Sequence, residues 1–210
     1  MQSMPLRLDS WTDYTCPFCF LATCRLGKLQ EHEPMMIHWR AFMLRPPGSP
    51  PQSTQIRAMV EQEHAYMKKQ IQAEFGFDLH PGPIGISTYA AHLATKYAEA
   101  QGKGDAFHTT VMNAYWREGQ SVDGKELLKH IATQVGLKSK DLATALETTT
   151  WAEAVQADIA LADKNAITGV PALVFSEKYL VLGAQPEQVL KRVIAAIRKE
   201  AQNGKEREEI

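Results

Sequence analysis

Two cysteines separated by a proline and a phenylalanine, Cys16-Pro17-Phe18-Cys19, constrain this chain more than any other feature. The run Leu6–Trp11 before them reads as a short strand. The segment Phe20–His32 after them has helical character, with Leu21, Leu26 and Leu29 near one face and Pro34 beyond its end. Cysteines at i and i+3 where a strand passes into a helix share one face, within bridging distance. Pro17 suits a first helical turn, where its missing N–H leaves no bond unmade. The Cys16 sulfur then lies over unpaired amides at the positive end of the helix dipole, which favours thiolate over thiol. Cys16 is therefore the expected nucleophile, and Cys19, one turn deeper, the expected resolving thiol. Phe18 offers the thiolate neither hydrogen bond nor charge, and Asp13 opposes it if turned inward. A less oxidising couple is expected than for a dithiol with histidine between the cysteines.

A C-x-x-C pair also occurs as half a zinc site or as two packed core cysteines. Zinc needs two more ligands, and the chain has no second C-x-x-C and no close H-x₃₋₅-H. His32 and His38 are the nearest histidines, and the redox reading is favoured over the metal one. Cys24 lies five residues past Cys19, roughly 140° round the helix and about 7.5 Å along it. It cannot pair with Cys19; it reads as a small packed apolar residue, with a peripheral thiol open to glutathionylation as the lesser reading.

The three cysteines all fall between positions 16 and 24 of 210 residues. They cannot form a disulfide framework, and a chain of this length buries roughly 70% of its unfolded surface without one. Lys and Arg number 23 against 24 Asp and Glu, with no basic stripe, so a nucleic-acid partner is not expected. No apolar run of about 18 residues is present, and Met1 to Ser10 lack an apolar leader core, so a cytoplasmic protein with no membrane partner is expected.

Beyond the dithiol, Met35–Phe42 alternates as a second strand, with Ile37, Trp39 and Ala41 on one side. Arg45–Pro51, with four prolines and a glycine, marks a boundary. Ser53–Phe75 (ending at Gly76), Thr88–Gln101 (N-capped by Ser87), Asp105–Glu118, Gly124–Val135, Ser139–Leu146 and Thr149–Asn165 read as helices. Ala172–Phe175 and Tyr179–Leu182 form a hairpin, Glu187–Ala201 a last helix, and Gln202–Ile210, with its charged run Lys205–Glu209, a frayed solvated tail. A βαβ unit at one end and ββα at the other make an α/β chain with one mixed sheet. Thr168-Gly169-Val170-Pro171 stands directly before the strand at Ala172. A cis Val170–Pro171 bond there turns the Val170 backbone outward, as a platform for an extended peptide beside the dithiol; an ordinary trans proline is the bland reading.

These residues resemble the DsbA-like thioredoxin superfamily, and within it the FrnE-like dithiol oxidoreductases. The likeness rests on Asp13-Tyr14-Thr15-Cys16-Pro17-Phe18-Cys19-Phe20, His38-Trp39-Arg40-Ala41-Phe42 and Leu44-Arg45-Pro46. It continues through Ser87–Glu99 with Ala91-His92, Asn113-Ala114-Tyr115-Trp116-Arg117-Glu118-Gly119, Ile167–Val174 and Gly183-Ala184-Gln185-Pro186. The resemblance implies a thioredoxin-like fold with a large α-helical insertion domain: residues 1–50 and 165–210 as the thioredoxin-like domain, 51–164 as the insertion. It implies catalysis by Cys16 and Cys19, with Pro17, Phe18, Val170 and Pro171 meeting the substrate, and protein or small-molecule thiols and disulfides as partners. No cofactor is expected beyond the redox-active disulfide itself, with glutathione as a candidate co-substrate and no metal. Phe18 and Phe20 replace the Trp and Tyr usual in this branch, which bears on substrate preference and potential. Relatives include a glutathione-dependent isomerase and kappa-class glutathione transferases, the alternative function; those carry serine at the first-cysteine position. Trp39 and Phe42 are expected in the core, buried by the helical insertion, with the lining of a substrate groove as the lesser reading. His92, Tyr115 and Trp116 are expected to pack on helices roofing the dithiol, and Met59, Met67 and Met112 to fill gaps on helix faces.

Overall fold

Side-chain alternation along β1 (Leu6–Thr12) sends Leu6 and Leu8 to one face of the sheet and Trp11 to the other. The computed structural model describes residues 4–208. Met1–Ser3, Glu209 and Ile210, which the expected N-terminal domain and C-terminal tail included, lie outside the described residues. β1 runs parallel to β2 (Met35–Ala41) on one side and antiparallel to β3 (Ala172–Phe175) on the other; β4 (Tyr179–Leu182) pairs antiparallel with β3. The order β2-β1-β3-β4 is the mixed sheet expected from the sequence. α1 (Pro17–Gln30) makes the crossover between β1 and β2. Leu26 and Leu29 of α1 pack with Leu190 and Ile194 of α8 (Glu187–Glu208) against Leu8, Ile37, Trp39 and Phe175. Trp39 is thus core, and Phe42 is half-buried beside Trp11 on the opposite face.

Between β2 and β3 lie α2 (Thr54–Phe75), α3 (Tyr89–Ala100), α4 (Gly104–Trp116), α5 (Lys125–Gln134), α6 (Ser139–Ala145) and α7 (Thr149–Lys164). α2 starts where Ser53 Oγ accepts from the Ile56 amide at 3.3 Å and stops where Gly76 takes φ 75°. Met67 and Met112 are buried on the inner helix faces, whereas Met59 is 56% exposed and fills no gap. Several helix ends differ from expectation by one to three residues. Thr88 occupies the N-cap position of α3 without a side-chain cap bond, because its hydroxyl is drawn to Asp13, a partner 75 positions away; the hydroxyl of the expected cap, Ser87, accepts from the Tyr89 amide. The last helix runs through Glu208, beyond its expected end at Ala201.

β2 is an edge strand, and its outward amides are covered by carboxylates of the helical block. The Trp39 amide donates to Glu99 Oε1 at 2.6 Å, and the Ala41 amide donates to Asp158 Oδ2 at 3.0 Å. Asp158 also receives Arg40 and Lys96, each at 2.8 Å, and Arg40 reaches back to Asp9 at 2.6 Å. A buried charge network thus closes an edge that would otherwise present unpaired donors. Asp158→Ala takes one of two carboxylate partners from Arg40 and from Lys96, which keep Asp9 and Glu99, and leaves the Ala41 amide unpaired. We expect it to destabilise the fold by about 3–5 kcal/mol, read from the urea-unfolding midpoint, with Asp158→Asn losing less.

Candidate active site

The strand ends at Thr12, and Asp13 turns the chain. Asp13 Oδ1 accepts from the Thr15 amide and hydroxyl, both at 2.7 Å, an Asx turn that delivers Cys16 to the start of α1. Asp13 Oδ2 accepts from the Leu44 amide and the Thr88 hydroxyl, both at 3.0 Å. The carboxylate is 1% exposed and held by four donors, which replace its lost hydration. The Tyr14 carbonyl accepts from Trp116 Nε1 at 2.9 Å, which pins the same turn to α4.

Cys16 occupies the N-cap of α1 with extended backbone (φ −83°, ψ 116°), and Pro17 opens the helix. The Cys16 carbonyl accepts from the amides of Cys19 and Phe20 at 3.1 and 3.2 Å, which brings the two cysteines onto one face. Their thiols interact with each other, and all three cysteines of the chain are free. Both residues are largely covered; Cys16 keeps 4% exposure and Cys19 1%, while Phe18 projects at 37%. Burial pushes the Cys19 thiol well above its ordinary range, and its interaction with Cys16 adds to the shift. Cys24 is half-buried against the helical core and burial pushes it up to about 12, with Arg117 opposing; it packs as an apolar residue.

The Val170–Pro171 bond is cis, and the Cys16 sulfur stands 3.7 Å from the Val170 carbonyl oxygen. Two clefts flank the pair. One, of about 210 Å³, is lined by Thr168, Gly169, Val170, Pro171 and Leu182; the other, of about 280 Å³, by Thr15, Pro17, Leu44, Arg45, Ile56 and Tyr115. A further cleft of about 340 Å³ is lined by Arg7, Trp11, Arg40 and Val174; the cysteines line none of the three, and the first two adjoin them through Val170 and through Thr15 and Pro17. Of the six residues expected at the site, Cys16 meets Val170 although more than 150 positions separate the two segments; Pro17 and Pro171 line different clefts, and Phe18 projects outward. Among the described residues no group of three or more His, Cys, Asp or Glu side chains gathers as a metal site.

A polar chain runs behind the dithiol that the sequence did not announce. Thr23 Oγ1 donates to the Cys19 carbonyl at 3.0 Å and meets His108 Nε2 at 3.1 Å; His108 Nδ1 meets the Tyr14 hydroxyl at 3.2 Å, and Tyr14 bonds Thr95. His108 lies flat on Trp39, with centroids 3.5 Å apart. His92 packs against the Tyr14 ring, Trp116 is stacked on Phe20, and the Tyr115 hydroxyl donates to the Pro83 carbonyl, so all three roof residues do pack. No local signal marks His108: it sits on the apolar stripe of α4 with Phe107 and Val111, and its partners come from β2, α1 and the turn after β1.

Comparison with known proteins agrees with this architecture. The family model described as the DSBA-like thioredoxin domain matches residues 7–195. YwbO of Bacillus subtilis, an uncharacterized protein, is 26% identical over 202 residues, spanning 91% of this chain and 97% of its own. Among solved structures, the probable DsbA oxidoreductase SCO1869 from Streptomyces coelicolor superposes with TM-score 0.79 at 23% identity, covering 93% of this chain and 91% of that one. The cytosolic disulfide reductase DsbM from Pseudomonas aeruginosa, solved also with GSH, superposes with TM-score 0.70 at 16% identity, covering 92% of this chain and 99% of that one.

Burial keeps both imidazoles behind the dithiol neutral: it lowers His92 to about 4 and His108 well below the usual histidine range. An unfolded histidine takes its proton near pH 6.5, so below that pH the unfolded chain binds more protons than the folded one. Stability is therefore full above about pH 6.5 and falls as pH drops toward 4. Urea midpoints measured across this window should decline with acidification, and His92→Gln should make the decline shallower.

Proposed function

The chain belongs to the DSBA-like thioredoxin domain family, and from that premise we propose that it is a dithiol oxidoreductase of the FrnE-like branch, exchanging disulfides through Cys16 and Cys19. The observation that carries the reading is the Cys16 sulfur at the mouth of α1, with Cys19 behind it and the Val170 carbonyl in front. The Cys16 thiolate attacks a substrate disulfide; one substrate sulfur bonds to Cys16 and the other leaves as a thiolate and takes up a proton. Cys19 then loses its proton and attacks Cys16, and the bound substrate leaves as a thiol. Two further thiols, with glutathione the candidate, return the Cys16–Cys19 disulfide to the dithiol: the first forms a mixed disulfide with one cysteine and frees the other, and the second displaces the first as their own disulfide.

The order of attack follows from the asymmetry of the pair. Burial keeps Cys19 protonated until Cys16 is occupied, so the buried sulfur resolves and the outer one attacks. The substrate lies along the backbone of Val170 and Pro171, with Pro17 and the projecting Phe18 on its other side. Proteins and small molecules carrying a disulfide are the substrates, and the cytoplasm is the compartment. Two things support these readings: three cysteines bunched with no disulfide framework, and the cytosolic disulfide reductase among the structures of like fold. No helix among the described residues is long and apolar enough to cross a membrane.

Purified protein should reduce insulin with glutathione as electron donor. Cys16→Ser should bring the rate to background, and Cys19→Ser should accumulate the mixed disulfide at Cys16, detected by mass. Full activity in both variants ends the proposal. The reduction potential against a glutathione buffer then tells whether reduction or oxidation is the favoured direction.

A further inference from the structure

The cleft of about 280 Å³ beside the dithiol has one wall that the rest of the fold leaves uncovered. Thr15 and Pro17, on either side of Cys16 in the chain, form one side of it. Leu44 is fixed to that side, because its amide donates to Asp13 Oδ2 at 3.0 Å. The Tyr115 hydroxyl donates to the Pro83 carbonyl at 3.1 Å and so fixes the wall that Tyr115 shares with Ile84. The remaining wall is the start of α2, through Ile56, Val60 and Glu63.

That last wall is unusual. From Thr54 to Glu63 no residue is buried; Val60 alone is half-buried, and the first buried residue of α2 is His64. Helices in proteins draw most of their stability from packing an amphipathic face. Ile56 and Val60, at i and i+4, share one face and turn it to the cleft, yet Ile56 stays 47% exposed. Leu44, also exposed, faces the same cleft. A second copy of the chain seated there permanently would cover Thr15 and Pro17 and close the way to a sulfur that must admit a disulfide. An occupant that arrives and leaves with the substrate does not.

Size and charge define that occupant. At about 280 Å³ the cleft falls below the range of roughly 300–1,000 Å³ that encloses a whole drug-sized ligand. Glutathione carries carboxylates at both ends. Among the described residues the one cation lining the cleft is Arg45, which already donates to the Pro50 carbonyl at 2.7 Å, and Glu63 shares the lining with it. A single hydrocarbon side chain suits such walls better than a charged tripeptide. We infer that this cleft is a specificity subsite, taking an apolar side chain next to the cysteine of a disulfide-bonded protein, so that such proteins react ahead of small disulfides. This rests on the exchange reading above and names the substrate class of the same site. Ile56 and Val60 are its specificity-determining residues. A leucine placed between them and Leu44 leaves water for apolar contact, whereas a serine gains little and a glutamate loses hydration without a partner.

The test mixes the full chain, as the dithiol, with short peptides whose cysteine is disulfide-bonded to a chromogenic thiol. It reads release of that thiol in a single turnover below saturation. The peptides differ only in the residues flanking the cysteine: leucine, serine or glutamate. Wild type should react with the leucine peptide about tenfold faster than with the serine peptide, and faster than with glutathione bonded to the same chromogen. Ile56→Lys should erase the leucine preference and react fastest with the glutamate peptide. Met59→Glu, on the same helix but outside the cleft, should keep the leucine preference. Equal rates on the three peptides overturn the inference, as does an Ile56→Lys variant with the wild-type order, or glutathione reacting as fast as the leucine peptide. A wild type that sediments as a dimer, split by Ile56→Lys, gives the face to a second copy and overturns it too. Release absent with every disulfide, or undiminished in Cys16→Ser, ends the exchange reading itself, which the other outcomes leave standing.

Discussion

The buried carboxylate of Asp13 holds three parts of the molecule in one place. Its oxygens take donors from the turn before the dithiol, from the loop after β2 and from the start of α3. A carboxylate withdrawn from water is tolerated only where such donors replace the lost hydration. That requirement makes the turn, the loop and the helical block mutually dependent: each supplies bonds without which the charge could not be buried. The position of Cys16 at the mouth of α1 follows from the same turn.

The helical block is therefore part of the site's construction. Tyr14, Cys16, Cys19 and Phe20 belong to the same apolar cluster as Met67, Phe107, Val111 and Leu128 of the helices. The block also finishes the sheet, since Glu99 and Asp158 occupy the outward amides of β2. A thiol pair lodged in this seam is shielded from bulk water on one side and meets the clefts beside Val170 and Pro17 on the other. Depth separates the two sulfurs chemically, because desolvation penalises the charged form of the one further in.

The sequence by itself determined the local events. Strand alternation, the C-P-F-C spacing at a strand-to-helix junction, and the Ser53 and Gly76 signals of α2 act over a few residues and were legible for that reason. The hairpin strands at Ala172–Phe175 and Tyr179–Leu182 matched residue for residue. The Thr168-Gly169-Val170-Pro171 segment was readable beside the dithiol only because the order of elements implied a sheet in which the two segments meet.

Tertiary structure decided where long-range partners outbid local ones. Asp13 read as a threat to the thiolate because its ligands, Leu44 and Thr88, lie 31 and 75 positions away. The Thr88 hydroxyl serves Asp13 and not the start of α3 for the same reason. His108 and Asp158 carry no local signal: Trp39, Thr23 and Tyr14 close around the one, and Arg40, Lys96 and Ala41 reach the other, all from elsewhere in the chain. Buried polar groups are paired by whatever the fold brings within hydrogen-bond distance, and no short-range pattern in a chain records that.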